Sequence, residues 1–133
     1  EKTEIIFNKS IEKNYDIQDI KIGPNLALHL GIILNELLTN SYTYAFGFDN
    51  AHPQIRVVFS LKGSELSFGY SDNGKNSNLL IFEKDFYLSS RTFGLSLIRL
   101  KSMELQGDFK FEYEDGLKFR LKCIYDETKG FNS

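Results

Sequence analysis

Glu36 and Asn40, a carboxylate and a carboxamide, stand four residues apart in the run Leu34-Asn35-Glu36-Leu37-Leu38-Thr39-Asn40-Ser41. On a helix that spacing puts both on one face, one turn apart. With the apolar stripe on the same segment, such polar groups at the C-terminal end of the helix suit a site more than a surface. The same residues on an exposed face would be plain solvated polar groups, since asparagine is a weak helix former with no preference for the interior.

Two further clusters carry the same kind of promise. Ser71-Asp72-Asn73-Gly74-Lys75-Asn76 follows the alternating run Leu66-Ser67-Phe68-Gly69-Tyr70, so that a carboxylate closes a strand. Asp-Asn-Gly is also a frequent turn sequence, because Asn and Gly tolerate positive φ. Thr92-Phe93-Gly94-Leu95-Ser96-Leu97-Ile98 sets small and hydroxylated residues around one glycine ahead of an apolar-periodic segment. That is the form of a helix N-terminus, whose free amides suit an anion.

The elements needed to position these groups can be read from periodicity. Glu4 to Ser10 reads as a strand, Lys13 to Asp16 as a polar connection and Ile17 to Ile20 as a short extended piece. Gly23-Pro24-Asn25 opens a long helix whose apolar stripe is Leu26, Leu30, Ile33 and Leu37 and which ends between Tyr44 and Gly47. Ile55 to Leu61 and Glu65 to Ser71 form a hairpin across Lys62-Gly63-Ser64. Asn76 to Arg91 has no clear period, a helix spans Thr92 to Gln106, and strands Asp108 to Glu114 and Leu117 to Tyr125 meet at Asp115-Gly116. These elements assemble into a two-layer α+β sandwich, a mixed sheet covered on one face by helices.

The order Asn-Glu-Leu-x-x-Asn on a helix, Asp-x-Gly after a strand, then a Gly-Leu-x-Leu turn into a second helix resembles the ATP-binding module of the GHKL superfamily, with its Bergerat fold. It is most similar to the catalytic domain of sensor histidine kinases, in the branch whose N-box reads Asn-Glu-Leu-x-Thr-Asn-Ala-x-Lys-His/Tyr-Ala-Phe. The corresponding residues are Asn35 to Phe46, and the resemblance runs from about Ile5 to Ile124.

The resemblance implies ATP and Mg²⁺ as cofactors and assigns the site residue by residue. Asn40 matches the Mg²⁺ ligand. Glu36 matches the carboxylate that lies beside the metal or acts as base. Asp72 matches the acceptor of the adenine amino group, with Gly74 letting the backbone pass close to the base. Gly94 and Leu95 match the glycine motif after which amides approach the triphosphate, with Thr92 just ahead of it, preceded by Ser89, Ser90 and Arg91. Tyr44 matches an aromatic or imidazole position near the phosphates. Partners implied are a dimerisation and phosphoacceptor domain and, downstream, a response regulator. The stretch from Asn76 to Arg91 would be a lid, with Phe82, Phe86 and Tyr87 packing beneath it.

Three positions depart from the pattern. Thr43 replaces the usual N-box lysine, Asn76 the usual second glycine after Asp72, and the Gly94 motif has one glycine rather than two. Thr43 removes a cation from the phosphate side, where Lys75 is the available substitute. Two other readings accompany the kinase reading: a degenerate GHKL module that regulates through protein contacts, and an anti-sigma-type serine kinase.

Composition sets the outer limits. At 133 residues and 41% hydrophobic content, the chain has the size of one domain with a real core. A net charge of -2 offers no basic field for nucleic acid. The single cysteine, Cys123, excludes an intramolecular disulfide and a multi-cysteine zinc site, and its alternating context predicts a buried thiol. His29 and His52 are expected to be structural or solvated rather than phosphoacceptors. No apolar run reaches the ~18 residues of a membrane span, so a soluble, cytoplasmic domain is expected. The start at Glu1 without methionine points to a fragment of a longer protein that can carry an anchor elsewhere.

Overall fold

The computed structural model describes residues 10–46, 51–75 and 90–125. Five strands form one mixed sheet: β1 (Glu12–Ile17), β2 (Gln54–Lys62), β3 (Glu65–Asp72), β4 (Asp108–Tyr113) and β5 (Leu117–Ile124), in the order β1-β2-β3-β5-β4. Only the β1–β2 pair is parallel; the other three pairs are antiparallel. Helices α1 (Pro24–Asn40) and α2 (Ser90–Glu104) pack on one another and against the sheet.

The sheet has a core face and an open face because its inner strands alternate. In β5, Leu117, Phe119, Leu121 and Cys123 are buried while Lys118, Arg120, Lys122 and Ile124 are exposed. In β3 the buried set is Leu66, Phe68, Tyr70 and Asp72. Period two therefore carries Asp72 onto the apolar face, one step beyond Tyr70. The α1 stripe Leu26, Leu30, Ile33 and Leu37 meets that face, and Asn40 continues the same stripe into the buried layer. Arg99 of α2 lies over the Phe111 ring at 5.6 Å, and Phe111 and Phe119 pack at 4.9 Å, closing the layers on the β4 side.

The two-layer α+β sandwich expected from the sequence is thus the fold found, with the β2–β3 and β4–β5 hairpins in place. Gly63 at φ 62° and Asp115-Gly116 at φ 54° and 135° supply the left-handed turn conformations. Cys123 is buried, as expected, and burial pushes its thiol up.

Two local expectations are corrected. Lys13 to Asp16 is not a connection but the middle of strand β1, and Gln18 to Ile20 lies beyond its end. All six residues of β1 are exposed, so this edge strand shows no alternation and is held by its ladder to β2. Helix α2 starts at Ser90 and ends at Glu104, rather than running from Thr92 to Gln106. Its last carbonyls are closed by Gln106 N–H to Met103 and Gly107 N–H to Ser102, with Gln106 left-handed at φ 54°. That 5→2 and 6→1 pair is a Schellman stop, which ends the helix before its apolar period runs out. The expected strand from Glu4 to Lys9, Asn76, Ser89 and the lid segment with Phe82, Phe86 and Tyr87 lie outside the described residues, as do the side chains of Ser90, Arg91 and Thr92.

Candidate functional site

The C-terminal end of α1 is where the chemistry gathers. After Asn40 the helix loosens into a π-helical turn, Ser41–Ala45, and leaves the helical region at Phe46. Single π turns inside helices recur at functional sites because they re-aim side chains. Here the turn keeps Ser41 and Ala45 buried and leaves Tyr44 half-buried and Thr43 exposed.

Glu36, Asn40 and Gly94 converge. A Cβ placed on Gly94 would lie 2.7 Å from Glu36 Oε2 and 3.9 Å from Asn40 Nδ2. The absent side chain at Gly94 is therefore what gives the Glu36 carboxylate its place between α1 and α2. Asn40 is 5% exposed, and its Nδ2 has no hydrogen-bond partner among the described residues. A buried amide left unsatisfied costs ~1 to 3 kcal/mol, so this corner is shaped to receive a polar group.

The donor set fits Mg²⁺. Glu36 and Asn40 offer a carboxylate and a carboxamide, hard oxygen ligands, and Mg²⁺ takes one or two such protein groups while phosphates and waters fill the rest. Among the described residues no group of three His, Cys, Asp or Glu side chains forms an all-protein metal cage.

Asp72 lies beside the same helix end, across the π turn. Its Oδ1 accepts hydrogen bonds from the Gly74 amide at 3.0 Å and the Leu117 amide at 3.1 Å, and its Oδ2 accepts one from Ser41 Oγ at 2.7 Å. Three donors around one carboxylate fix its plane. Gly74 and Gly116 make this possible by close approach. A Cβ on Gly74 would sit 2.5 Å from the Ala45 carbonyl oxygen, and one on Gly116 would collide with the Asp72 carbonyl oxygen. Gly74 thus lets the strand end close onto the π turn. Asn73 secures the same corner by accepting from Gln54 N–H at 2.8 Å and donating to the His52 carbonyl at 2.8 Å.

The structure brings Glu36, Asn40, Gly94 and Leu95 together, with Leu95 buried behind the glycine. It places Asp72 and Gly74 across the π turn that carries Tyr44. One mechanistic expectation changes. The described part of α2 already includes Ser90, so the amides of residues after Gly94 lie inside the helix and bond carbonyls four residues earlier. His29 is structural, its Nδ1 2.8 Å from the Asn25 carbonyl and its Nε2 3.3 Å from Glu104.

Sequence reasoning missed four contributors: Ser41, Tyr70, Gly116 and the Leu117 amide. Tyr70 had a usable signal, since it stands two residues before Asp72 on the same strand face. Ser41 had one too, following Asn40 directly. Gly116 and Leu117 gave none, because only the β3–β5 pairing brings that hairpin to Asp72.

No family model matches the chain. It is 26% identical over 125 residues to the sensor histidine kinase LiaS of Bacillus subtilis (strain 168), a match covering 92% of this chain and 32% of LiaS. The chain thus spans about a third of the length of that relative. Among solved structures it superposes on the histidine kinase domain of the blue-light activated histidine kinase from Erythrobacter litoralis EL346 with TM-score 0.70 and 17% identity, covering 92% of this chain and 58% of that one. The histidine kinase AdeS of Acinetobacter baumannii gives TM-score 0.67 at 12% identity, covering 91% and 57%. The catalytic domain of histidine kinase ThkA gives 0.61 at 17%, covering 91% and 84%. The fold is that of histidine kinase catalytic domains, as the sequence resemblance implied.

Proposed function

We propose that this chain is the ATP-binding catalytic domain of a sensor histidine kinase, delivering the γ-phosphoryl group of ATP to a histidine on a separate dimerisation and phosphoacceptor domain. The P–O bond to the β-phosphate breaks, a P–N bond to the imidazole forms and ADP leaves; a response regulator is the downstream acceptor. The observation that carries this reading is the pairing of two sites at one end of the sheet: the Glu36–Asn40–Gly94 corner and the multiply bonded Asp72 carboxylate. One suits phosphates and their cation, the other a base edge.

Asp72 accepts a hydrogen bond from the adenine 6-amino group and rejects guanine, which presents a carbonyl there. Asn40 and Glu36 would hold Mg²⁺, which when bound would neutralise charge on the phosphate oxygens. Glu36 supplies a carboxylate whose position Gly94 protects, Asn40 offers its Oδ1 as the oxygen ligand, and its unpartnered Nδ2 is a donor for a phosphate oxygen. Tyr44 on the π turn serves the phosphate side, and Thr92 is assigned there by the sequence motif alone. Rate enhancement in such a site comes from positioning and charge stabilisation rather than covalent participation.

No helix among the described residues is long and apolar enough to cross a membrane; a catalytic domain that uses ATP is proposed to work in the cytoplasm. Titration with a non-hydrolysable ATP analogue, with and without Mg²⁺, tests the proposal. Saturable binding strengthened by Mg²⁺ supports it. No binding at millimolar nucleotide would sink it and leave a module that acts through protein contacts.

A further inference from the structure

Ser41, Tyr70 and Asp72 form a buried chain of polar atoms inside an otherwise apolar layer. Their relative exposures are 0%, 2% and 8%. Ser41 Oγ lies 2.7 Å from Asp72 Oδ2 and 2.6 Å from the Tyr70 hydroxyl. A serine hydroxyl has one hydrogen, and with that hydrogen given to the carboxylate the Tyr70 O–H must donate to Ser41 Oγ. The order is therefore Tyr70 O–H to Ser41 O–H to Asp72 Oδ2.

The arrangement loads the two carboxylate oxygens differently. Oδ1 is fixed by two backbone amides, that of Leu117 at the start of β5 and that of Gly74 two residues past Asp72. Oδ2 is addressed by a side-chain hydroxyl that is itself polarised by a second hydroxyl. Hydrogen bonds in series reinforce one another in a low-dielectric interior. Ser41 also follows Asn40 directly, so the relay ties the helix end that carries Asn40 to the strand end that carries Asp72.

Resting on the adenine-nucleotide reading above, we infer that Ser41 and Tyr70 are positioning residues for base selection: their relay holds Asp72 Oδ2 where it accepts the N–H of a 6-aminopurine. Loss of the relay lets the carboxylate turn about its last bond. Neither hydroxyl touches the Glu36–Gly94 contact, so recognition of the base weakens more than the hold on the rest of the nucleotide.

The readout is the ratio of affinities for ATP and for purine riboside triphosphate, which lacks only the 6-amino group, measured by calorimetry on the full chain. Ser41→Ala is expected to lower that ratio ~10-fold, the effect of one hydrogen bond to a charged group, with the analogue's affinity nearly unchanged. Tyr70→Phe keeps the ring that packs in the core and is expected to lower the ratio about 3-fold, as for a bond acting through another. The double variant should be no worse than Ser41→Ala, because both act through one atom. A ratio unchanged in both single variants, or equal losses for both nucleotides, overturns the inference and leaves the hydroxyls as core packing. A wild-type chain that binds the two nucleotides equally, or Asp72→Ala that leaves the ratio intact, removes the adenine site itself and the inference with it.

Discussion

Gly94 turns a bare Cα toward Glu36, so close that a methyl group there would come within 2.7 Å of the carboxylate oxygen Oε2. The glycine lies within helix α2, where glycine is the second-worst helix former, so its presence needs a reason outside the helix. The reason is the neighbouring carboxylate on α1.

Gly94→Ala should therefore separate stability from function. Alanine in a helix interior is favoured over glycine by ~1 kcal/mol, and the group it displaces is the mobile end of a side chain. The thermal midpoint is expected to stay level or rise. Mg²⁺-dependent binding of an ATP analogue should fall roughly 10-fold or more, the scale of one misplaced charged contact. Equal affinity for both proteins would show that Glu36 does not serve the nucleotide.

Asn40→Asp changes the buried amide to a second carboxylate beside Glu36. Binding of the ATP analogue should shift more in the presence of Mg²⁺ than in its absence, because the residue reaches the nucleotide through the cation. Paired titrations with and without the metal give the comparison. Equal shifts in both would mean a direct nucleotide contact or a folding defect.

Thr43 is exposed on the π turn, so a lysine there has room to extend. Thr43→Lys should tighten ATP by about 1 kcal/mol, leave adenosine unchanged, and lose the gain as salt rises. Calorimetry at two ionic strengths checks this. Equal gains for ATP and adenosine would point to a general effect rather than a phosphate contact.

Burial pushes the Tyr70 phenol far above its usual range, with the Asp72 charge adding to the rise and the Ser41 hydrogen bond opposing it. An unfolded tyrosine titrates near about pH 10 while the native one keeps its proton, so Tyr70 contributes stability that is intact below pH ~10 and lost as pH rises above it. Urea unfolding between about pH 10 and 11.5 should fall off less steeply for Tyr70→Phe, by up to ~1.4 kcal/mol per pH unit. Parallel slopes would show that the phenol ionises in the native state. Tyr113 and Cys123 are also raised by burial and contribute to the slope that remains.

Tyr125 ties the end of β5 to the start of α1, its hydroxyl accepting the Gly23 N–H at 2.6 Å. Gly23 is the N-cap of α1 and has no side chain to cap with. Tyr125→Phe should cost about 1 to 3 kcal/mol in urea unfolding, because a partly buried amide loses its acceptor. A loss below ~0.3 kcal/mol would mean that water replaces the phenol.

The local code was enough for the helix, the hairpins and the pairing of Glu36 with Asn40, since residues four apart on a helix share a face whatever surrounds them. It was also enough to put Asp72 at a strand end, because β3 alternates cleanly. It failed at β1, where Glu12 to Ile17 shows neither face to the core and only the ladder to Gln54–Phe59 defines a strand. It misplaced the ends of α2, where a left-handed Gln106 stops the helix inside an apolar period.

What joins the pieces is long-range. The glycine at 94 faces a glutamate 58 positions earlier, and Asp72 is held by Ser41 on one side and the Leu117 amide on the other. Spacing along the chain fixes which residues share a face of one element, because that is set by backbone dihedrals. Which faces meet is set by burial of the apolar stripes against one another, and that packing brought a bare Cα to Glu36 and the Ser41 hydroxyl and Leu117 amide to Asp72.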